Sequence, residues 1–481
     1  MKMLINGEWL DAQSGKVIEV RNPSTNELID TVPRGDAADI ELAVEAAKKG
    51  ALINRSIPAL ERCNYLHRTA DLLDKHHDKL KSIIIAENGK TDHWADFEID
   101  KTAEILRSLG ERAKDPQGTT FPMDAMKGCA GQISMVYRQP RGVVGGIVPF
   151  NFPVETLGYK LGGALCAGNS IILKLPEDCP LALLYIGELL LEAGVPKEVF
   201  HMVTGYGEEA GNAIVEHPEI PVISFTGSCE VGKIIMERSG KHLKHLALEL
   251  GGNDPVIVCE DADVELVAKN LIMGRFTVGN GQACVADKRL IVNKAVEQEL
   301  IKHCVAVAAS MKVGNPSDPT VDIGPVINQR AAENIQAMID DAVAKGATVH
   351  FGGSHTSNFI DATVISGVKK GMQLYSDECF GPVVTIISCD DDQEALEIAN
   401  DSSYGLQGAV YSRDVSKAFS LADELEVGGV IINGSSCLRP GNFPYMPRKA
   451  SGIGTDNMYN CYEEMSAGKA IVVCNAISKF N

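Results

Sequence analysis

The sequence predicts an α/β chain with a doubly wound, mostly parallel sheet followed by a second α/β block. Three observations predict it. From Gly142 to Phe225 short apolar runs alternate with segments of helical periodicity, the pattern of strands joined by crossover helices. The chain has 481 residues, more than one hydrophobic core usually sustains, so two or three domains are expected. The polar and glycine-rich motifs stand directly after the apolar runs, at the carboxyl ends of strands, where ligands of such sheets bind.

Taken in order, Met1 to Trp9 reads as a hairpin turning at Asn6-Gly7, a dipeptide suited to the positive φ of a tight turn. Ala37 to Leu52, Leu60 to Glu87 and Asp92 to Lys114 carry apolar residues at helical spacing. Between Asp115 and Gly131 that pattern weakens, and Ile133 to Arg138 then alternates as a strand. Val143–Val148, Ser170–Leu173, Val199–Val203 and Val222–Phe225 read as buried parallel strands. Val154 to Ala167, Leu181 to Ala193 and Glu208 to Glu216 read as the helices between them. The second block begins near Glu249, has Pro255–Val258 as its first strand and runs to about Gly454. Lys469–Val473 is a terminal strand. It and Ile133 to Arg138 leave exposed edges in a monomer, which pairing with another subunit would cover.

Composition excludes several classes. The net charge of −19, from 45 basic and 64 acidic residues, gives no basic footprint for nucleic acid and disfavours an anionic membrane surface. No apolar run reaches the roughly eighteen residues of a membrane span, and the N-terminus lacks a signal peptide, so a cytoplasmic protein is expected. Thirteen scattered cysteines form no secreted disulfide framework and suit a reducing compartment. There is no CxxC pair, His242 and His245 lack companion ligands, and no metal is expected.

The chemistry centres on Phe276-Thr277-Val278-Gly279-Asn280-Gly281-Gln282-Ala283-Cys284. A cysteine after two glycines sits where the backbone bends sharply and admits a ligand, which marks Cys284 as a candidate nucleophile. Free cysteine is also a common core residue, and the other cysteines have no such setting. Around it stand Pro149-Phe150-Asn151-Phe152-Pro153, Lys174-Leu175-Pro176-Glu177, Phe225-Thr226-Gly227-Ser228, Glu249-Leu250-Gly251-Gly252 and Glu378-Cys379-Phe380-Gly381-Pro382. In that order and spacing the set resembles the aldehyde dehydrogenase superfamily, from about residue 4 to the end.

The resemblance implies a Rossmann-like cofactor domain over 1–118 and 141–247, a catalytic domain over 248–455 and an oligomerisation arm of 119–140 and 456–481, in a homodimer or homotetramer. It implies that Cys284 adds to the aldehyde carbon, in a polar pocket expected to lower its thiol pKa. The Asn151 amide and the Cys284 N–H would hold the oxyanion. Glu249 would be the general base that releases the acid. Read alone, Asn151 could equally cap the helix from Val154, and Glu249 could be an ion-pair carboxylate. NAD is the implied cofactor, because the Glu177 carboxylate beside Lys174 accepts ribose hydroxyls and repels a 2′-phosphate. Ser228 and the start of the following helix suit the pyrophosphate, with Gly227 among the cofactor-binding residues; Val231 would pack near the adenine, Glu378 would hold the nicotinamide ribose and Phe380 would lie beside it. Val148, Pro149, Phe150, Gly207, Gly211, Phe225 and Leu250 would line the same crevice. Gly205 to Gly211 imitates a dinucleotide fingerprint, but in this family that turn does not cradle the pyrophosphate.

For the substrate, Phe152, Glu155, Thr156 and Tyr159 would face the tunnel, with Ala283 and Val285 flanking the nucleophile. Asn433-Gly434-Ser435-Ser436-Cys437-Leu438-Arg439-Pro440 is similar to the branch of lactaldehyde and non-phosphorylating glyceraldehyde-3-phosphate dehydrogenases. There Arg439 would meet a hydroxyl, carboxylate, phosphate or sulfonate. Arg107 is a second candidate at the tunnel mouth, although either arginine read alone could be a solvated surface residue. Pro444-Tyr445-Met446-Pro447-Arg448-Lys449-Ala450-Ser451-Gly452 departs from the family pattern near the tunnel exit. The competing readings are a coenzyme A-acylating relative, which Glu249 disfavours, and a binding protein that keeps the fold without turnover.

Overall fold

The computed structural model describes residues 1–115, 118–455 and 457–476. Parts of the expected cofactor domain (116–117) and arm (456 and 477–481) lie outside the described residues. The N-terminal hairpin pairs Met3 with Leu10 and turns at Asn6 (φ 54°) and Gly7 (φ 74°), the left-handed conformations that this turn requires. Helices follow at Ala37–Ser56, Ala59–Lys75, His77–Asn88 and Asp92–Arg112. The expected single helix from Leu60 to Glu87 is therefore two. The chain breaks at His76 (φ −105°, ψ 18°), whose imidazole is 2.7 Å from the Tyr185 hydroxyl of Leu181–Glu192. No proline or glycine marks that break, because a long-range side-chain contact holds it.

Two parallel-rich sheets carry the molecule. The first has eight strands in the order Glu8–Leu10, Met3–Ile5, Phe200–Val203, Ser170–Lys174, Val143–Ile147, Val222–Thr226, His245–Glu249, Gly452–Ile453. From Val143–Ile147 the chain steps outward through two strands and then returns to the other side for Val222–Thr226. That reversal opens a crevice beyond the carboxyl ends of Val143–Ile147 and Val222–Thr226. Glu249 does not open the second block: it ends His245–Glu249, a strand parallel to Val222–Thr226 in this first sheet. The second sheet runs Thr348–Phe351, Thr363–Ser366, Val383–Cys389, Arg289–Asn293, Pro255–Val258, Gln407–Tyr411, Gly429–Ile432. Apolar runs such as Val256-Ile257-Val258 and Leu290-Ile291-Val292 are buried, as parallel strands covered on both faces should be.

The two strands expected to have open edges pair with each other. Ser466–Val473 lies antiparallel to Ile133–Pro140, with Gly118–Thr119 on the latter's far side. Ser466–Val473 is an outer strand of this small sheet. Among the described residues no helix is long and apolar enough to cross a membrane.

One buried network fixes the loop after Val143–Ile147. Lys90 and Glu98 form an ion pair with both side chains fully buried. Glu98 also accepts from the Val154 and Glu155 amides (2.7 and 3.2 Å) at the start of helix Pro153–Cys166. Asn88 donates to the Phe150 carbonyl at 2.6 Å. Asn151 and Phe152 are thus clamped on both sides. Lys90→Met leaves a buried carboxylate without its counter-ion, a change that costs about 3–5 kcal/mol. The urea unfolding midpoint is expected to fall clearly below that of the native chain.

Candidate active site

Cys284 follows a turn that few sequences could form. Gly279, Asn280 and Gly281 all have positive φ (50°, 58° and 79°), a run tolerated by glycine and asparagine. A Cβ on Gly281 would fall 2.4 Å from the Gly381 and Pro382 backbone, so no side chain fits. The Asn280 amide locks the turn, donating to the Gly89 and Pro325 carbonyls (2.8 and 2.9 Å) and accepting from Gly324 N–H at 2.8 Å. On the other side, Lys288 donates to the Ala283 carbonyl at 2.9 Å and the Cys284 carbonyl at 2.5 Å. It also pairs with Glu378 at 3.2 Å.

Three side chains share the cavity of that sulfur. Asn151 Nδ2 donates to the Gln282 carbonyl at 3.0 Å, which anchors the amide beside the nucleophile loop and leaves its second N–H for a ligand. Glu249, buried at the end of its strand, lines the same cavity as Cys284 and Asn151. The Tyr445 hydroxyl lies 3.0 Å from Cys284 Sγ.

The thiol is not depressed as the sequence suggested. Burial pushes it above its ordinary value, and the Tyr445 hydrogen bond, Lys288 and Arg439 offset this only in part. Burial likewise raises the Glu378 carboxyl, against the pull of Lys288. In both cases the partial loss of hydration shifts the equilibrium toward the neutral form.

A groove of about 930 Å³ occupies the crevice at the strand reversal. Val148, Pro149, Phe150, Lys174, Glu177, Gly207, Gly211, Phe225, Gly227, Ser228, Val231, Glu378 and Phe380 line it. Leu250 lines its continuation toward Cys284. These residues fit a dinucleotide. Lys174 and Glu177 pair at 2.5 Å, presenting a carboxylate for a ribose diol. Ser228 caps helix Cys229–Ser239 by accepting from Val231 N–H at 3.3 Å, at a helix N-terminus of the kind that favours anions. A Cβ on Gly227 would strike the Phe225 ring at 2.4 Å, which keeps this approach bare. The expected helix from Glu208 begins instead as a π-helical turn, Gly207–Gly211.

A second cavity of about 320 Å³ shares Asn151 and Thr226 with the groove. Phe152, Glu155, Thr156, Tyr159, Ala283, Val285 and Arg439 line it, as expected from their order in the chain. The Arg439 guanidinium lies 4.0 Å from the Tyr445 ring centroid, 5.1 Å from that of Tyr159 and 3.8 Å from the Glu155 carboxylate. Arg107 is not among the lining residues. It pairs with Asp71 and Asp74 at 2.8 and 2.5 Å. Lys101 of the same helix lines the cavity instead. Six residues turn a helix by about 240° net, so the two cations point to different sides.

Sequence reading missed Lys101, Trp94, Lys288 and the role of Tyr445. The Trp94 indole donates to Thr277 Oγ1 at 3.2 Å, bracing the nucleophile turn from Asp92–Arg112. The departing segment at Pro444–Gly452 places Tyr445 in the cavity and pairs Arg448–Lys449 with Tyr404–Gly405. Of these only Tyr445 carried a signal, as the aromatic within an atypical stretch. Away from the cavity, Cys63, His67 and Glu111 come together, with Lys114 seated on Glu111 at 2.6 Å in an ion-pair cluster.

Comparison with known proteins is consistent along the chain. The model of the aldehyde dehydrogenase family matches residues 9–471. A lactaldehyde dehydrogenase of Methanococcus vannielii is 32% identical over 98% of this chain and 100% of its own length. An NADP-dependent glyceraldehyde-3-phosphate dehydrogenase of Streptococcus equinus is 34% identical, covering 98% of each chain. The crystal structure of an NADP-dependent glyceraldehyde-3-phosphate dehydrogenase from Bacillus halodurans C-125, complexed with NADP, superposes with a TM-score of 0.96. It is 34% identical and covers 99% of each chain.

Proposed function

The chain belongs to the aldehyde dehydrogenase family and oxidises aldehydes with NAD(P), and from that premise we propose that its substrate is a short polar or anionic aldehyde, released as the free acid. The observation that carries the reading is the meeting of two cavities at Asn151 and Thr226, a groove that fits a dinucleotide and continues to Cys284, and a second cavity that holds Cys284 and Arg439. Lactaldehyde, glyceraldehyde 3-phosphate, a semialdehyde or a sulfonated or phosphonated aldehyde has the required polar end.

In this reading the Cys284 thiolate adds to the aldehyde carbon, giving a thiohemiacetal whose oxygen is held by the Asn151 amide and the Cys284 N–H. A bound nicotinamide supplies the hydride acceptor. The carbon is left as a thioester on Cys284. Glu249, in the same cavity, takes a proton from water as that water attacks the thioester, and the thiol leaves. Glu249 is buried at the end of its strand, which limits the access of bulk water to the acyl carbon. A carboxylate at this position supports hydrolysis over transfer to coenzyme A.

NAD is the favoured cofactor in this proposal, because the Glu177 carboxylate beside Lys174 repels a 2′-phosphate. Initial rates with NAD and with NADP at matched concentrations test it, and a higher kcat/KM with NADP would overturn it. A homodimer or homotetramer is proposed from the outer strand Ser466–Val473, whose Val472 and Val473 are 46% and 45% exposed.

Arg439→Leu is expected to raise KM for anionic aldehydes about 10- to 100-fold, with a smaller effect on uncharged short aldehydes. That magnitude is what loss of one charge-assisted pair produces. Unchanged KM values across a panel of lactaldehyde, glycolaldehyde, glyceraldehyde 3-phosphate and succinate semialdehyde would remove Arg439 from substrate recognition.

A further inference from the structure

Tyr445 touches both halves of the substrate cavity. Its side chain is buried, its hydroxyl is 3.0 Å from Cys284 Sγ, and the Arg439 guanidinium lies over its ring at 4.0 Å. We propose that Tyr445 is a positioning residue that holds the Cys284 sulfur through its hydroxyl and carries Arg439 on its ring. One rigid phenol thereby sets the spacing between the nucleophile and the cation that meets the substrate's polar end. The inference rests on Cys284 being the nucleophile.

The chemistry of the contact has a direction. Burial pushes the Tyr445 phenol well above its ordinary pKa, and the neighbouring Cys284 adds to this. The phenol therefore stays protonated at working pH and can donate as the sulfur ionises. A donor aimed at sulfur favours the thiolate, opposing the burial that disfavours it. A cysteine side chain has a single heavy-atom torsion with three staggered choices, and the hydroxyl selects among them.

A second thiol in the same cavity supplies the contrast. Cys437 also lines it, but burial and the Asp287 carboxylate both push that thiol up. Cys284 has a phenol donor, Lys288 and Arg439 around it. The two sulfurs thus share one cavity and the Lys288 charge, but Asp287 weighs most on Cys437, whereas the Tyr445 hydroxyl weighs most on Cys284 after burial. The Arg439 contact also works at a distance from the reacting atoms. A guanidinium stacked on an aromatic face has fewer orientations to lose when it binds an anion, and a short aldehyde is what spans one ring.

The test is the pH dependence of iodoacetamide alkylation, read separately at Cys284 and Cys437 by peptide mass spectrometry. Tyr445→Phe removes one oxygen and keeps the ring. Its Cys284 midpoint is expected to rise by about one pH unit, while the Cys437 profile and the KM for anionic aldehydes stay within about twofold. Tyr445→Leu removes the ring as well and is expected to raise that KM about tenfold. An unmoved Cys284 midpoint, Cys437 shifting in step with Cys284, or an unchanged KM in Tyr445→Leu would overturn the proposal. Alkylation needs no turnover, so a wrong substrate assignment shows separately, as native enzyme that forms no reduced nicotinamide from the anionic aldehydes.

Discussion

Replacing Cys284 with alanine is expected to lower kcat/KM by at least ~10⁴-fold while leaving cofactor binding intact, since no other group in the cavity replaces a covalent nucleophile. The substitution removes the sulfur and leaves the loop. Gly279, Asn280 and Gly281 hold their turn through Asn280 and its three backbone partners, and Lys288 still grips the residue-284 carbonyl. Cofactor titration by quenching of intrinsic fluorescence checks that the groove survives. Cys437 does not compensate, because the Asp287 carboxylate and burial keep its thiol protonated. Substantial activity in Cys284→Ala would place the nucleophile elsewhere.

The second large effect belongs to Glu249. Glu249→Gln keeps the shape of the buried side chain and deletes only its ability to accept a proton. Steady-state turnover is expected to fall about 10²- to 10⁴-fold, the usual contribution of a positioned general base. Oxidation itself does not need that base in this reading. Rapid mixing should therefore show one burst of reduced nicotinamide per active site, followed by a slow phase. A uniform loss without a burst would assign Glu249 to the first half of the reaction.

The parts of the site visible in the sequence are those whose chemistry is local. The crevice strands read as continuous apolar runs because parallel strands are covered on both faces, and the polar motifs come directly after them. The Cys284 turn announces itself through two glycines and an asparagine. His245–Glu249 did not read as a strand, since its apolar core of Leu246-Ala247-Leu248 is short and ends in charged residues. The sequence alone therefore places Glu249 with the following block, whereas it ends a strand of the first sheet.

What stayed hidden depends on contacts between distant residues. Tyr445 reaches a sulfur 161 positions earlier, and Lys288 acts on backbone carbonyls and on Glu378. Arg107 and Lys101 look equivalent on one helix. Asp71 and Asp74 of the neighbouring helix claim the first, while the second faces the cavity. The direction of the Cys284 shift is not legible in the sequence because burial is a property of the fold, and here it outweighs the polar neighbours.

The most direct test of the account uses Glu249→Gln, mixed with NAD and an anionic aldehyde, quenched in acid within the burst and digested for mass spectrometry. The account predicts the peptide containing Cys284 heavier by the mass of the acyl group, in proportion to the reduced nicotinamide formed, with the Cys437 peptide unmodified. Reduced nicotinamide accompanied by an unmodified Cys284 peptide would contradict it.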